Sequence, residues 1–114
     1  MFAPTLDVRF YKSEIGTEPV RDWLKTLSAA DRKAIGEDIK TVQFGWPLGM
    51  PLVRKMDAGL WEVRIRLDGR IARVLFTLDE QVIVLLHGFI KKSQATPQED
   101  LKTAISRKKK LRSS

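Results

Sequence analysis

A two-residue turn at Asp68-Gly69 constrains the fold of this chain more than any other feature of its sequence. Asp-Gly between runs of alternating apolar residues is the strongest short-range signal for a β-hairpin. Such a turn fixes which residues of the two strands, spanning 60 to 78, lie opposite each other. On one face the opposed residues are all apolar, so this face is predicted to lie against the core. On the other face Arg64 is predicted to lie opposite Arg73.

The predicted Arg64–Arg73 pair points to anion binding. Directly opposed residues in an antiparallel pair have Cβ atoms about 4.5–5.5 Å apart, and like charges at that distance destabilise the sheet. Because two guanidinium groups match the oxygens of phosphates well, a sequence that places them together is suited to holding an anion. We therefore expect the face that carries Arg64 and Arg73 to be the functional face.

Composition sets the outer limits of this interpretation. The 114 residues predict a single domain, residues 1–114, with 43% hydrophobic residues and no cysteine. One histidine and no cysteine argue against a zinc site, and the sequence has no P-loop or GxGxxG motif, so we expect neither a metal nor a cofactor. No apolar run reaches the ~18 residues of a membrane span, and the N-terminus lacks the pattern of a signal peptide. These features predict a cytosolic protein without a membrane segment.

The net charge of +7 is the strongest compositional signal of function. A small basic domain usually contacts nucleic acid or an acidic protein. The alternative is that the charge only keeps the protein in solution.

The order of the remaining elements predicts an α+β domain. Residues 5 to 11 alternate as a strand, and two helices joined at Ser28 form an N-terminal helical hairpin. Glu37 and Asp38 are expected on the solvated side of the second helix. An antiparallel sheet follows, with this helical hairpin on one face and a cationic groove on the other. Thr96 is the expected N-cap of a C-terminal helix, and residues 107–114 form a basic tail.

Residues 81 to 90, QVIVLLHGFI, form the most apolar strand. Strict alternation places Ile83, Leu85, His87 and Phe89 on the core face, and Lys92 on the face of Arg64. A bulge at Gly88 would break this alternation. His87 is therefore expected in a buried or rim position rather than as a proton carrier.

The candidate chemistry is carried by permanent cations. Four are assigned to the functional face and three to its edges, in the order Arg64, Arg66, Arg73 and Lys92, then Lys91, Arg54 and Lys55. RNA supplies its own nucleophile, the 2′-hydroxyl beside the scissile phosphate, so a protein could cleave it by positioning and electrostatics alone. The alternative from pattern alone is a basic surface that only binds phosphates.

Two segments carry a resemblance to a known family. The stretch LWEVRIRLDGRIARVLF, followed by VIVLLHGFIKKSQATPQED and a helix, resembles the RelE/ParE toxin superfamily, in particular its HigB-like, phage-derived branch. The resemblance implies a RelE-like fold and the toxin of a type II toxin–antitoxin system. Its activity would be that of a metal-independent, ribosome-dependent endoribonuclease, an mRNA interferase that inhibits translation. Its partners would be the ribosome with its mRNA and a cognate HigA-like helix-turn-helix antitoxin.

The resemblance also implies roles for individual residues. It assigns catalysis to Arg64, Arg73 and Lys92, and contacts with flanking RNA to Lys91, Lys55, Arg66 and Arg54. Some ribosome-dependent members have a tyrosine near the start of the last helix, where this chain reads SQATPQED. Two alternatives stay open, a non-catalytic ParE-like inhibitor of DNA gyrase and a phage-derived nucleic-acid-binding domain.

Overall fold

The computed structural model describes residues 6–91 and 95–113. This part of the chain forms one five-stranded sheet and three helices, in agreement with the predicted α+β class. The elements in chain order are β1 (Asp7–Phe10), α1 (Pro19–Lys25), α2 (Ala29–Gly45), β2 (Val53–Asp57), β3 (Leu60–Leu67), β4 (Arg70–Asp79), β5 (Val82–Lys91) and α3 (Gln98–Ser113).

The central hairpin has the predicted register. Trp61 lies opposite Phe76 and Arg64 lies opposite Arg73 across β3 and β4. Gly69 has a φ of 67°, the left-handed conformation that a tight hairpin turn requires and that glycine adopts at little cost. The turn chemistry therefore fixes the pairing of every residue in these two strands.

The sheet has the strand order β1-β5-β4-β3-β2. Neighbours are antiparallel from β2 through β5, as expected, but β1 pairs with β5 in parallel, so the sheet is mixed. The two helices α1 and α2 connect β1 at one edge of the sheet to β2 at the opposite edge. The prediction of a wholly antiparallel sheet was therefore wrong for the edge strand β1.

The helical hairpin covers one face of the sheet, as predicted. The Ser28 hydroxyl caps α2 by accepting a hydrogen bond from the Asp31 backbone N–H at 3.1 Å. Ile35, Ile39 and Val42 of α2 are buried in the same core cluster as the apolar face of β3 and β4. Burial of this stripe supplies most of the driving force for packing the helix on the sheet.

The opposite face is not an open groove along its whole width, because α3 packs on it. Leu75, Val84 and Leu86 form a second buried cluster with Ala104 of α3, and Leu101 packs against it. The prediction of a cationic groove on this face was therefore wrong where α3 packs on β4 and β5 and fills it. Leu60 and Glu62 at the start of β3 are also buried on this face, whereas Arg64 is half-buried and Arg66 is exposed, so the second half of β3 lies at an accessible surface.

A bulge in β5 changes which of its residues face α3. Leu75 lies opposite His87 but Phe76 lies opposite Leu85, so Leu86 is the extra residue. Beyond it, His87 and Phe89 lie on the same face as Leu75 and Arg73, whereas Gly88 and Ile90 face the helical hairpin. The predicted core-face positions of His87 and Phe89 were therefore wrong, since strict alternation does not survive a bulge.

Residues 107–113 form the last turns of α3 rather than a separate basic tail. The Arg107 guanidinium donates to the Leu86 carbonyl oxygen at 2.8 Å, and the Lys108 ammonium donates to the Ala58 carbonyl oxygen. Both contacts attach the end of the helix to the sheet. Among the described residues, no helix has the length and hydropathy needed to cross a membrane.

Candidate nucleic-acid interface

The accessible side of the functional face contains a cleft of about 380 Å³ beside β3. Val53 of β2 pairs with Val63, and the Arg64 N–H donates to the Leu52 carbonyl oxygen at 2.8 Å. In the described chain the β2–β3 pairing goes no further, so the last residues of β3 form an edge. The cleft lies along this edge and is lined by Asp38, Pro51, Leu52, Arg64, Arg66 and Ile71.

Two arginines of β3 line this cleft together. Arg64 and Arg66 are two positions apart in a strand, so their side chains project from the same face. Arg64 is half-buried and Arg66 is exposed. The sequence predicted both residues for this face, and the structure places both at the same cavity.

Asp38 was expected on the solvated side of α2, but it is half-buried and lines the cleft. Burial raises the pKa of its carboxyl group, and the neighbouring carboxylate of Glu37 raises it further. Within the described chain its carboxylate makes neither an ion pair nor a side-chain hydrogen bond. No local sequence pattern predicts this placement, because the path of residues 46–52 decides which side of α2 meets the cleft.

Arg73 is opposite Arg64 as predicted, but its side chain is fully buried, with 0% of its surface exposed. Its Nη1 lies 3.7 Å from Glu62 Oε1 and donates to the Thr96 hydroxyl at 3.1 Å. The Thr96 hydroxyl in turn donates to Glu62 Oε2 at 2.5 Å. Thr96, the expected helix cap, thus uses its side chain to link an arginine and a carboxylate beneath the surface.

The electrostatics at Arg73 show how strongly cationic this region is. Burial lowers the pKa of the Arg73 guanidinium, Glu62 opposes this shift, and Arg64 and Arg54 lower it further. Three arginines therefore influence one another around a single buried carboxylate. The surplus of positive charge at this face favours an anionic ligand.

The other predicted contact residues divide between the two faces. Arg54 lies opposite Glu62 and Lys91 lies opposite Ile71, which places both on the functional face. Lys55 lies opposite Trp61, whose ring packs in the core beneath the helical hairpin, so Lys55 belongs to the other face. Lys92 lies outside the described residues.

His87 belongs to a polar group between β5 and α3 that the sequence did not reveal. Its Nε2 lies 2.6 Å from Asp100 Oδ1, and Arg107 Nη1 lies 3.3 Å from its Nδ1. Burial lowers the pKa of Arg107, and the nearby Tyr11 opposes this shift. Since both ring nitrogens of His87 are engaged, the group joins the last helix to the sheet.

A cavity lined by strand arginines on a basic α+β domain fits a nucleic-acid-binding protein, and comparison with known families narrows the class. Residues 22–109, more than half of the chain, match the family described as Phage derived protein Gp49-like (DUF891). The chain belongs to the Gp49-like family. This is a phage-derived family of RelE-like toxins, in agreement with the superfamily that the sequence resembled. No curated protein gave a significant match to the chain.

The matched range of this Gp49-like domain includes every residue that lines the cleft, from Asp38 on α2 to Ile71 on β4. It also includes the buried Glu62–Arg73 pair, and it ends within α3. The edge strand β1 lies before it. In the described residues, no group of three or more His, Asp or Glu side chains is arranged to hold a metal ion.

Proposed function

We propose that this Gp49-like protein is the toxin of a type II toxin–antitoxin system and cleaves mRNA on the ribosome. The observation that carries the proposal is the placement of Arg64 and Arg66 at one cleft of about 380 Å³, backed by the charge of Arg73 and Arg54. Membership of a family of RelE-like toxins supports it. A basic surface alone would attract RNA, but a cleft also offers a place to orient one phosphate.

The proposed chemistry uses the substrate's own nucleophile. The 2′-oxygen attacks the adjacent phosphorus and the bond to the 5′-oxygen of the next nucleotide breaks. The products are a 2′,3′-cyclic phosphate and a 5′-hydroxyl, and the proton lost from the 2′-hydroxyl is balanced by the proton gained by the leaving oxygen. Negative charge grows on the non-bridging oxygens during this step. Guanidinium groups fixed at that point stabilise the transition state more than the ground state.

Individual roles follow from position. Arg64 is proposed to hold the scissile phosphate, because it is anchored in β3 at the cleft and is less exposed than Arg66. Arg66, Arg54 and Lys91 lie on the same face and would bind flanking phosphates. Arg73 is buried and would contribute positive charge to the site without contacting the RNA. Lys92 is proposed to assist the leaving group, the role that the resemblance implies. Lys55, on the other face, would reach only ribosomal RNA or a partner protein.

The proposed partners are the ribosome with its mRNA and a helix-turn-helix antitoxin of the HigA-like kind. The resemblance to the HigB-like branch supports both, and the net charge of +7 supports the ribosome, since ribosomal RNA is a polyanion. An antitoxin would neutralise the toxin most directly by covering the arginine-lined cleft.

The decisive experiment is brief induction of the protein in cells without antitoxin, with sequencing of RNA 5′ ends and measurement of protein synthesis. We expect translation to stop and new 5′-hydroxyl ends to appear within translated codons. A reconstituted translation system should retain cleavage after transition metals are chelated, with Mg²⁺ kept for the ribosome.

Two results would contradict the proposal. Double-strand DNA breaks with intact mRNA would indicate gyrase poisoning, the non-catalytic alternative. Cleavage that leaves 5′-phosphate and 3′-hydroxyl ends would indicate an activated water instead of the 2′-hydroxyl. A matched control is the Arg64→Ala, Arg66→Ala double variant, which should leave both translation and mRNA intact.

A further inference from the structure

The cleft beside β3 combines two opposite chemistries in one cavity. Arg64 and Arg66 supply positive charge from the strand, and Asp38 supplies a carboxylate from α2. Pro51, Leu52 and Ile71 complete the lining with apolar surface. The volume of about 380 Å³ lies in the range of small-ligand sites, roughly 300–1,000 Å³. A ligand that fits must carry an anion, an apolar or aromatic body, and hydrogen-bond donors.

Among the described residues, no ion pair or side-chain hydrogen bond explains the position of the Asp38 carboxylate. It is half-buried, yet within the described chain it pairs with neither arginine of the cleft and accepts no side-chain hydrogen bond. Burial and the neighbouring Glu37 raise its pKa, so the folded protein disfavours its charged form. The charged groups around it are Glu37 on α2 and the two arginines on β3, while the rest of the lining is apolar. A ligand that donates hydrogen bonds to both carboxylate oxygens would offset the cost of desolvation.

Nucleotides meet these requirements, and one base meets them best. Single-stranded RNA is read on the Watson–Crick edges of bases that are splayed out of the stack. On that edge guanine presents two adjacent donors, N1–H and the N2 amino group, which match the two acceptor oxygens of a carboxylate. Adenine, cytosine and uracil each present only one donor group there, beside acceptors that a carboxylate would repel.

We propose that the cleft is a guanosine-binding subsite, in which Asp38 accepts hydrogen bonds from N1–H and N2–H while Arg64 and Arg66 contact the phosphate of the same nucleotide. The base lies against the apolar surface of Leu52 and Ile71. Phosphate contacts position a nucleic acid and base contacts specify its sequence, so Asp38 is the specificity-determining residue of this site. The inference rests on the proposed function in taking RNA as the ligand.

The test is a titration of the full chain, labelled with ¹⁵N, with GMP, AMP, CMP and UMP. GMP should bind at least about tenfold more tightly than the other three, the scale of one good bidentate base contact. The amides of Asp38, Leu52 and Arg64 should shift. Asp38→Asn should reduce GMP affinity about tenfold, to the level of the other nucleotides. Glu37→Gln is the matched control, because it removes the same charge from the adjacent helical position, which does not line the cleft.

Equal affinity of the wild-type chain for GMP and AMP would overturn the inference. So would an equal loss of GMP binding in Glu37→Gln and Asp38→Asn, since the loss would then not depend on the carboxylate that lines the cleft. The assay involves no cleavage, which separates it from the proposed function. A GMP preference in a protein that leaves mRNA intact supports the subsite and refutes the ribonuclease. Cleavage of mRNA by a protein without that preference refutes the subsite alone.

Discussion

Glu62 and Arg73 form an ion pair at 3.7 Å in which neither side chain is exposed to solvent. The carboxylate lies two positions before Arg64 on the same face of β3, so it supplies the counter-charge that makes two opposed arginines tolerable. The Thr96 hydroxyl binds both partners and ties the pair to the start of the last helix. The repulsion that the sequence suggested is therefore relieved within the fold, beneath the surface where a ligand would bind.

Arg73→Ala should strongly destabilise the protein. It leaves the Glu62 carboxylate buried without its cation, and breaking a buried pair from one side costs about 3–5 kcal/mol. The measurement is the free energy of unfolding by urea titration. Arg66→Ala, an exposed arginine on the same face, should change stability by less than about 0.5 kcal/mol. An Arg73→Ala variant as stable as Arg66→Ala would show that the ion pair does not contribute as described.

Arg64→Ala should reduce mRNA cleavage about 10²-fold or more, by analogy with the loss of one donor that stabilises a transition-state oxyanion. Its effect on unfolding should be smaller than that of Arg73→Ala, since Arg64 is half-buried at the cleft rather than enclosed. Cleavage rates in a reconstituted translation system check this. Lys55→Ala removes a cation from the opposite face and should retain cleavage within a few-fold. Equal losses in the two variants would argue for a diffuse charge effect.

Gly88→Ala should destabilise the packing of β5 against α1. An added Cβ would lie 2.3 Å from the Trp23 ring, far inside van der Waals contact, and overpacking of this kind costs about 1–3 kcal/mol. Gly49→Ala is the control, because its Cβ would meet no atom within 4 Å. Thermal unfolding of both variants checks the prediction. A second substitution, Trp23→Leu, should recover part of the loss if the clash is its cause.

Asp38→Asn should raise stability at neutral pH and leave it unchanged in acid. The folded protein raises the pKa of Asp38 above its unfolded value, so the stability this group contributes is present at low pH and is lost as pH rises through the folded pKa. Asparagine cannot ionise and avoids that loss. The melting temperatures of wild type and variant should therefore be equal in acid, and the variant should melt at an increasingly higher temperature than wild type as the pH rises to neutral. A constant difference across this range would contradict the assignment.

The parts of the fold that sequence alone predicted are those set by local chemistry. Asp68-Gly69 fixed the register of β3 and β4, and Ser28 marked the start of α2. The cover of α3 over the second face was missed, although a signal for it existed. Leu75 and Leu86 are apolar residues on the face that was expected to be open, and Leu101 and Ala104 are the stripe that buries them. An apolar sheet face and an apolar helix stripe that are both left uncovered in one small chain are expected to pack against each other.

The features that sequence could not predict arise from contacts between distant segments. A single inserted residue at Leu86 has no composition signal, because leucine suits either face of a strand in this apolar run. The enclosure of Arg73 depends on Glu62 and on Thr96, which is 23 residues away in the chain. Asp38 reaches the cleft only through the path of the chain from α2 to β2. Each of these placements is set by the tertiary structure and not by local periodicity.

Because of the bulge at Leu86, the number of residues in β5 determines which face each later side chain of the strand occupies. Deletion of one residue there would turn over every later side chain of the strand, directing His87 and Phe89 toward the helical hairpin and Gly88 away from the Trp23 ring it accommodates. The strand would still be apolar and of ordinary length, but Asp100 and Arg107 would lose the imidazole that joins them to the sheet. Relatives in which α3 packs in this way should therefore show substitutions in this strand more often than insertions or deletions.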